Sequence, residues 1–513
     1  MTLTATKIGK EVPMPVVVWV VASIIYVVLL YLRYGYQIGI EDGPEFLTFA
    51  KIAHDPSLYK NDLFMQSMLD MGWNERTLFG KFYAIFPNLE WAGWITHALL
   101  ALAMILGIQV CAYNLLQDFW WAQLAVLTQL ILFNNIEIGG NMLYFNDIQG
   151  ESFANTLGVW AFAAWLYKRK PLSIVLLTVA TWFHPLIGFQ LFLIFTGSYL
   201  LYSFYHKTFA DIKNMMLAVL AYFICAGWLI LFIFIGHKSG PNMVSTHEFM
   251  DLTYKFALMC HFTPHVFSRK GYILLSICVL AGLYYFSKRH KELAAILIVL
   301  LLGYAIYAIG YYSDSYLITS SWWFRTNMWT KFLGLLALCA LLQEQVKGIG
   351  YKIIPILVLL LSFVLPILFV TDNKYLFPWK DLRKDNDEID IAIAVKNMTH
   401  KDAVFIQPFF FSALKYFGER ASYVEYHRIL RSRATIKIWY DRLGEVYALD
   451  KRIDVARNPL LIETMDTNYS RLTSEDLDKL KQKGVQYMIT FKSTAYPGRP
   501  VLYENNTYKL IEL

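Results

Sequence analysis

Ionisable side chains in this 513-residue chain gather at the ends of its apolar runs. Glu41 and Asp42 stand just past the first run, within Gly39-Ile40-Glu41-Asp42-Gly43-Pro44. Asp147 and Glu151 flank Ile148-Gln149-Gly150, and His184 precedes Pro185 between two runs. His261 and His265 bracket Phe262-Thr263-Pro264, and Arg325 closes Trp322-Trp323-Phe324-Arg325. Carboxylates at membrane depth are costly and mark functional sites by default. A carboxylate can take a proton from an attacking hydroxyl. An arginine suits a phosphate through its planar fork of donors.

Each group also has a structural reading. Asp42-Gly43-Pro44 can be a turn that starts a helix with proline in its first turn. Asp147 can cap the helix that follows, and Glu151 suits the dipole of its first turn. His184 can satisfy a carbonyl at a helix break, and Arg325 can snorkel to an interface. The four-residue spacing of His261 and His265 suits a metal only on a helix, and Pro264 argues against one. The signal is that all of these groups fall on one side of the chain's expected topology.

That topology follows from composition. The chain is 57% hydrophobic and 17% charged, well below the roughly one quarter charged of a soluble domain. Apolar runs of bilayer-crossing length recur near 14–32, 91–110, 119–135, 150–167, 172–184, 186–204, 214–236, 270–287, 292–311, 323–343 and 352–371. The expectation is a polytopic α-helical membrane protein with about eleven transmembrane helices. The pair around Pro185 reads equally as one broken or re-entrant helix. Lys7, Lys10, Lys168 to Lys170, Lys207, Lys213, Lys288, Arg289, Lys291, Lys347 and Lys352 fall on one side, which the positive-inside rule makes cytoplasmic. The N-terminus is then cytoplasmic in the plasma (inner) membrane, its first run an uncleaved anchor, and every candidate group above faces outward.

The net charge of +7 therefore sets orientation and does not indicate nucleic-acid binding. Cys111, Cys225, Cys260, Cys278 and Cys339 contain no CxxC and read as free thiols. Two regions stand apart from the spans. The loop 33–90 carries amphipathic helices near Pro44 to His54 and Asn74 to Phe86. The segment 372–513 alternates strands near 404–406, 423–426, 485–491 and 508–511 with helices near 411–417, 436–448 and 474–483. It reads as a soluble extracytoplasmic α/β domain with a mainly parallel sheet, following a membrane domain of 1–371.

An acidic pair in the first outward loop, about eleven spans and an extracytoplasmic α/β tail together resemble the GT-C superfamily of integral membrane glycosyltransferases. Within it, Glu41-Asp42-Gly43, His184-Pro185 and the stretch His261 to His265 resemble a group of bacterial membrane proteins of this architecture. The resemblance implies transfer of a sugar from a polyprenyl-phosphate-linked donor, by an inverting mechanism, at the outer face of the plasma membrane. It implies Asp42, then Glu41, as general base or as a holder of a divalent metal ion, with Asp147 or Glu151 as the second acid. Arg325, His184, His261 and His265 are the groups it offers to the donor phosphate. No WWD-like acceptor motif of the oligosaccharyltransferases is present, since Trp322-Trp323-Phe324 lacks the acid. Two other readings stand beside this one. One is a non-catalytic scaffold subunit of an envelope complex, with protein partners docking on the tail. The other is a transporter built on broken helices.

Overall fold

The computed structural model describes residues 15–38, 43–132, 138–209, 211–235, 243–346, 349–368, 386–426, 428, 430, 432–449 and 459–513. Glu41 and Asp42 lie outside the described residues, as do 369–385 between the last apolar helix and the tail. The chain opens with α1 (Val16–Tyr34), then three short helices, α2 (Gly43–His54), α3 (Leu63–Asp70) and α4 (Thr77–Tyr83). The bundle continues through α5 (Leu89–Leu116), α6 (Phe119–Leu132), α7 (Gly150–Leu166), α8 (Lys170–Phe183) and α9 (Pro185–His206). Next come α10 (Ile212–Tyr222), α11 (Trp228–Ile235), α12 (Thr246–Met250) and α13 (Met259–Phe262). The bundle ends with α14 (Arg269–Arg289), α15 (Lys291–Tyr312), α16 (Tyr316–Thr319), α17 (Asn327–Gln345) and α18 (Ile349–Leu368).

Six stretches among the described residues are long and apolar enough to cross a bilayer: α1, α5, α9, the continuous Ile212–Phe232, α14 and α15. This is a multi-pass membrane helix bundle. A helix also stands at each of the other expected spans: α6, α7 and α8 are shorter, α17 is more polar, and α18 is a 20-residue apolar helix. Around Pro185 the chain forms two helices, with His184 extended between them.

Buried amides and hydroxyls join the helices where hydrophobic burial gives no preference between neighbour and lipid. Ser23 of α1 donates to Gln109 of α5 (2.8 Å), which donates to Gln123 of α6 (3.0 Å). His97 of α5 bonds Tyr31 of α1 through Nδ1 (2.6 Å) and Phe145 O through Nε2 (2.8 Å). Because the carbonyl can only accept, Nε2 carries the proton and Tyr31 donates. The loop before α7 is thereby pinned to the first helix.

The tail contains α19 (Asp387–Met398), α20 (Ile436–Tyr447), α21 (Pro459–Ser470) and α22 (Ser474–Gln482) around one five-stranded sheet. Its strands are β1 (Val404–Ile406), β2 (Ala421–Ser422), β3 (Tyr487–Phe491), β4 (Val501–Glu504) and β5 (Tyr508–Glu512), in the order β2-β1-β3-β5-β4. Only β2-β1-β3 is parallel; β3, β5 and β4 pair antiparallel, so the sheet is mixed rather than mainly parallel. No strand forms at the expected 423–426; the strand stands just before it, at Ala421–Ser422, and 411–417 yields one wide helical turn, Leu414–Gly418.

The tail packs against the first loop. One hydrophobic cluster joins Phe46, Leu47, Phe79 and Tyr83 to Ile389, Phe405, Leu414 and Leu510. Polar anchors fix the register of that contact. Lys415 Nζ lies 2.5 Å from Asp62 and 2.6 Å from Glu425, all three side chains buried. Asp62 also caps α3 by accepting from Met65 N and takes the Ser422 N–H of β2. Lys51 of α2 pairs with Glu419 at 2.7 Å, which Lys396 shares at 2.8 Å.

Candidate functional site

Helix α7 begins at Gly150, so Glu151 sits in its first turn, buried among the ends of α8, α9 and the 323–326 turn. His184 is both the last link of α8 and the N-cap of α9: its Nδ1 accepts the Ile187 N–H at 3.2 Å. That bond puts the ring proton on Nε2, which lies 3.0 Å from Glu151 Oε1. Proline at the first helical position has no N–H to satisfy, so a break that costs little backbone bonding delivers the imidazole to the carboxylate. Phe183 and Phe153 stack at 4.2 Å beneath the pair.

Arg325 completes the cluster, with Nη2 3.6 Å from the same Glu151 oxygen and its guanidinium 4.9 Å above the Trp322 ring. Trp322 adopts a left-handed backbone (φ 50), a rare and strained state for a bulky residue. Gln190 of α9 holds it there by donating to Ser321 O (2.6 Å) and Trp322 O (3.1 Å). Gly139 and Gly140, both at positive φ, press on the same segment. A Cβ on Gly139 would lie 2.9 Å from Arg325 N, and one on Gly140 would lie 2.0 Å from His261 Nδ1. The close approach requires glycine at both positions.

Glu151, His184 and Arg325 line a cavity of about 130 Å³. Its outer wall comes from Phe46 of α2 and from Met71, Glu75 and Arg76 ahead of α4. Leu186, Phe189 and Ile230 give it an apolar flank, and Tyr254 and Tyr316 close it from the other side. The buried Arg76 pairs with Glu75 at 2.5 Å. Glu151 Oε2 is buried and accepts no hydrogen bond among the described residues. An orphaned carboxylate oxygen facing a cavity is an acceptor site waiting for a donor.

The remaining sequence candidates sit apart from this cavity. Asp147 is buried and accepts twice from Gln149 Nε2 at 2.8 Å. His261 Nδ1 donates to Gly139 O at 3.1 Å, and its ring stacks on Trp322. His265 is exposed. Gln37 N bonds Asn146 O at 2.8 Å, and Phe46 lies in the cavity wall. Among the described residues no three His, Cys, Asp or Glu side chains converge as a metal cage. The two cavity carboxylates among the described residues, Glu75 and Glu151, are each held by a cation.

Arg76, Glu75 and the two glycines were not singled out from sequence. Arg76 lies in a stretch whose periodicity reads as a surface helix. The Gly139-Gly140 pair is the signal that could have drawn attention to the loop beside Arg325.

No known protein-family model matches the sequence, and no curated protein matches it either. Among solved structures, the chain is similar to the apo oligosaccharyltransferase of Archaeoglobus fulgidus. The TM-score is 0.53 at 10% identity, covering 93% of this chain and 69% of that one. ArnT from Cupriavidus metallidurans bound to undecaprenyl phosphate aligns over 97% of both chains at 12% identity, with a TM-score of 0.41. The archaeal oligosaccharyltransferase AglB from Archaeoglobus fulgidus, in complex with an inhibitory peptide and a dolichol-phosphate, aligns with a TM-score of 0.35 at 10% identity. It covers 93% of this chain and 69% of that one. Neither of these two scores carries an argument about this chain. On the first alignment, the chain shares its overall fold with that archaeal oligosaccharyltransferase.

Proposed function

We propose that this chain is an inverting membrane glycosyltransferase that moves a sugar from a polyprenyl-phosphate donor to an acceptor at the outer face of the plasma membrane. Residues 1–371 are its membrane part with about eleven crossings and a cytoplasmic N-terminus, and 372–513 its extracytoplasmic part. The observation that carries the reading is the open carboxylate oxygen of Glu151 beside Arg325, in a cavity with an apolar flank. Arg325 and the apolar flank suit a lipid phosphate, an anion on an apolar chain, while the open Glu151 oxygen suits a hydroxyl donor. The fold shared with an oligosaccharyltransferase supports the same class.

In this reading the acceptor hydroxyl gives its proton to a carboxylate as its oxygen bonds the anomeric carbon. The bond from that carbon to the phosphate oxygen breaks on the opposite face, and its electron pair leaves with the polyprenyl phosphate. One displacement inverts the centre. Asp42, with Glu41, is the first candidate for the base, and Glu151 is the second acid of the site. Arg325 stabilises the departing phosphate, with Arg76 on the facing wall. His184 spends its Nε2 proton on Glu151 and so orients the acid rather than the donor. No step requires a metal.

The test is transfer from a radiolabelled polyprenyl-phosphate sugar pool in membranes holding the full chain, Asp42→Asn or Glu151→Gln. Loss of about 10²-fold or more in either variant, with unchanged thermal unfolding, is expected. Full transfer in both variants would sink the assigned roles. Mass spectrometry of lipids that copurify with the wild-type chain supplies the donor class. A second reading, a non-catalytic scaffold, draws on the pairing of each cavity cation with a carboxylate. It predicts that both variants are silent and that removing the tail breaks a copurifying complex.

A further inference from the structure

A second cavity opens at the opposite end of the same helices. Glu151 begins α7, whereas Trp165 and Leu166 at its other end line this cleft. The 17 residues of α7 put the two sites roughly 25 Å apart. The cleft measures about 560 Å³, within the usual range for ligand pockets of about 300–1,000 Å³. Trp165, Leu166, Tyr202 and Leu293 supply its apolar surface, while Lys168, Lys288, Arg289 and Lys291 ring it with positive charge.

The charges are not balanced internally. Glu292 is the one carboxylate in the lining, and it is shared by Lys168 and Lys170, each at 3.2 Å. Arg289 has a surface pairing with Glu344 at 3.1 Å. Among the described residues neither Lys288 nor Lys291 has a carboxylate partner; Lys288 only caps the Tyr284 ring at 3.7 Å. The half-buried His290, in the turn between α14 and α15, is held below the ordinary histidine value by burial, then by Lys168 and Arg289. The part of that shift due to Lys168 and Arg289 reports a positive field, which attracts an anion. Helix C-termini favour basic residues in their last turn, which accounts for Lys288 and Arg289 in part. It does not account for Lys291, which opens a helix where cations are disfavoured.

We propose that this cleft binds a phosphate group, supplied by the headgroup of an anionic membrane lipid. In the topology argued above the cleft faces the cytoplasmic leaflet, where such lipids meet basic pockets between helices. The lysines take the phosphate, and Trp165, Leu166 and Tyr202 receive the glycerol end of the acyl chains. The proposal rests on the membrane topology and stands whether or not the outward cavity transfers sugar.

The experiment is native mass spectrometry of the full chain released from vesicles of phosphatidylcholine mixed equally with phosphatidylglycerol or cardiolipin. The expected result is preferential retention of the anionic lipid, falling roughly fivefold for each lysine removed in Lys288→Gln and Lys291→Gln. Lys479→Gln, an exposed site in the tail, is expected to leave retention unchanged. Equal retention of anionic and zwitterionic lipid overturns the proposal, as does a preference that survives both substitutions. Inorganic phosphate is titrated in parallel against thermal unfolding in detergent without added lipid. Stabilisation there without lipid preference in the vesicles assigns the cleft to free phosphate and overturns the lipid source. Both lysines are exposed; should the double variant misfold, Lys291→Gln alone carries the same comparison.

Discussion

Replacing Lys415 with methionine should undock the tail from the first loop. The ammonium lies between Asp62 and Glu425, and the lysine and aspartate side chains are 1% exposed and the glutamate 7%. Methionine preserves the stem and removes the charge. Two carboxylates are then left facing each other in a dry contact. Breaking a buried pair by deleting one partner costs about 3–5 kcal/mol, because the surviving charge has no water. Gln407 still donates to Glu425 at 3.0 Å and Ser422 N to Asp62 at 2.9 Å, which argues for the lower end. About 3 kcal/mol corresponds to a loss of roughly a hundredfold in the closed-to-open ratio of the contact.

Hydrogen exchange reads that ratio directly. The Met65 and Ser422 amides both donate to Asp62, so both should exchange roughly a hundredfold faster in Lys415→Met. Neutralising all three groups with Lys415→Met, Asp62→Asn and Glu425→Gln should restore most of the protection, since no charge then remains buried. Protection unchanged in the single variant, or a triple variant worse than the single, would refute the reasoning. The effect should not vary between about pH 6 and pH 9. Burial alone would push the Lys415 ammonium down, but Asp62 and Glu425 outweigh it and hold the group above its ordinary value. Its contribution is thus complete below that value and is lost only at higher pH.

Gly140→Ala forces a positive φ onto a residue with a Cβ and drives that atom into the His261 ring, for a loss of about 2–3 kcal/mol. In thermal unfolding, adding His261→Ala should recover the steric part and leave the backbone part. Arg325→Lys keeps the charge but loses the flat contact with Trp322 and the forked donors, so transfer should fall about 10²-fold or more with little change in unfolding. Acid should loosen the loop–tail contact through Glu419. Burial raises its carboxyl, but Lys396 and Lys51 outweigh that and hold it below the ordinary glutamate value. Its stabilisation is therefore present above that value and lost as pH falls through the depressed one. Limited proteolysis near 43–70 should stay constant from about pH 7 to pH 5 and rise only below about pH 4.

The six long apolar spans were legible because the length of an apolar run follows from bilayer physics acting on a short stretch. His184-Pro185 also declared itself, since proline at a helix start has a local signature. The choice between Asp147 and Glu151 did not. The residues are four apart, and only the start of α7 at Gly150 decides which one turns toward His184. The tail's sheet was misread at one point. Strand β4 alternates weakly, and the turn that returns it to β5 is built by Asn505, whose Oδ1 accepts from Thr507 N and Tyr508 N. Without that strand the antiparallel half of the sheet disappears from a sequence reading. Asp62 and Lys415 carry no local signal at all, being 353 positions apart.

That long-range contact bears on the cavity. Asp62 caps α3, and the end of α3 is tied to the turn beyond it by Asn74 Nδ2 donating to Met68 O at 2.9 Å. Asn74 Oδ1 in turn accepts the Arg76 N–H at 2.9 Å, and Arg76 stands in the cavity wall. A short rigid path of caps therefore runs from Lys415 to the guanidinium facing Arg325. The Lys415–Asp62 ion pair joins two side chains and the later links join side chain to backbone, so none can slide without leaving a buried polar group unsatisfied. The tail is thus more than a cover on the outward face. It sets where α3 and the turn after it stand, and through them the outer wall of the site. A chain with the tail removed would lose the partner of Asp62 and with it the fixed position of Arg76, even with every membrane helix intact.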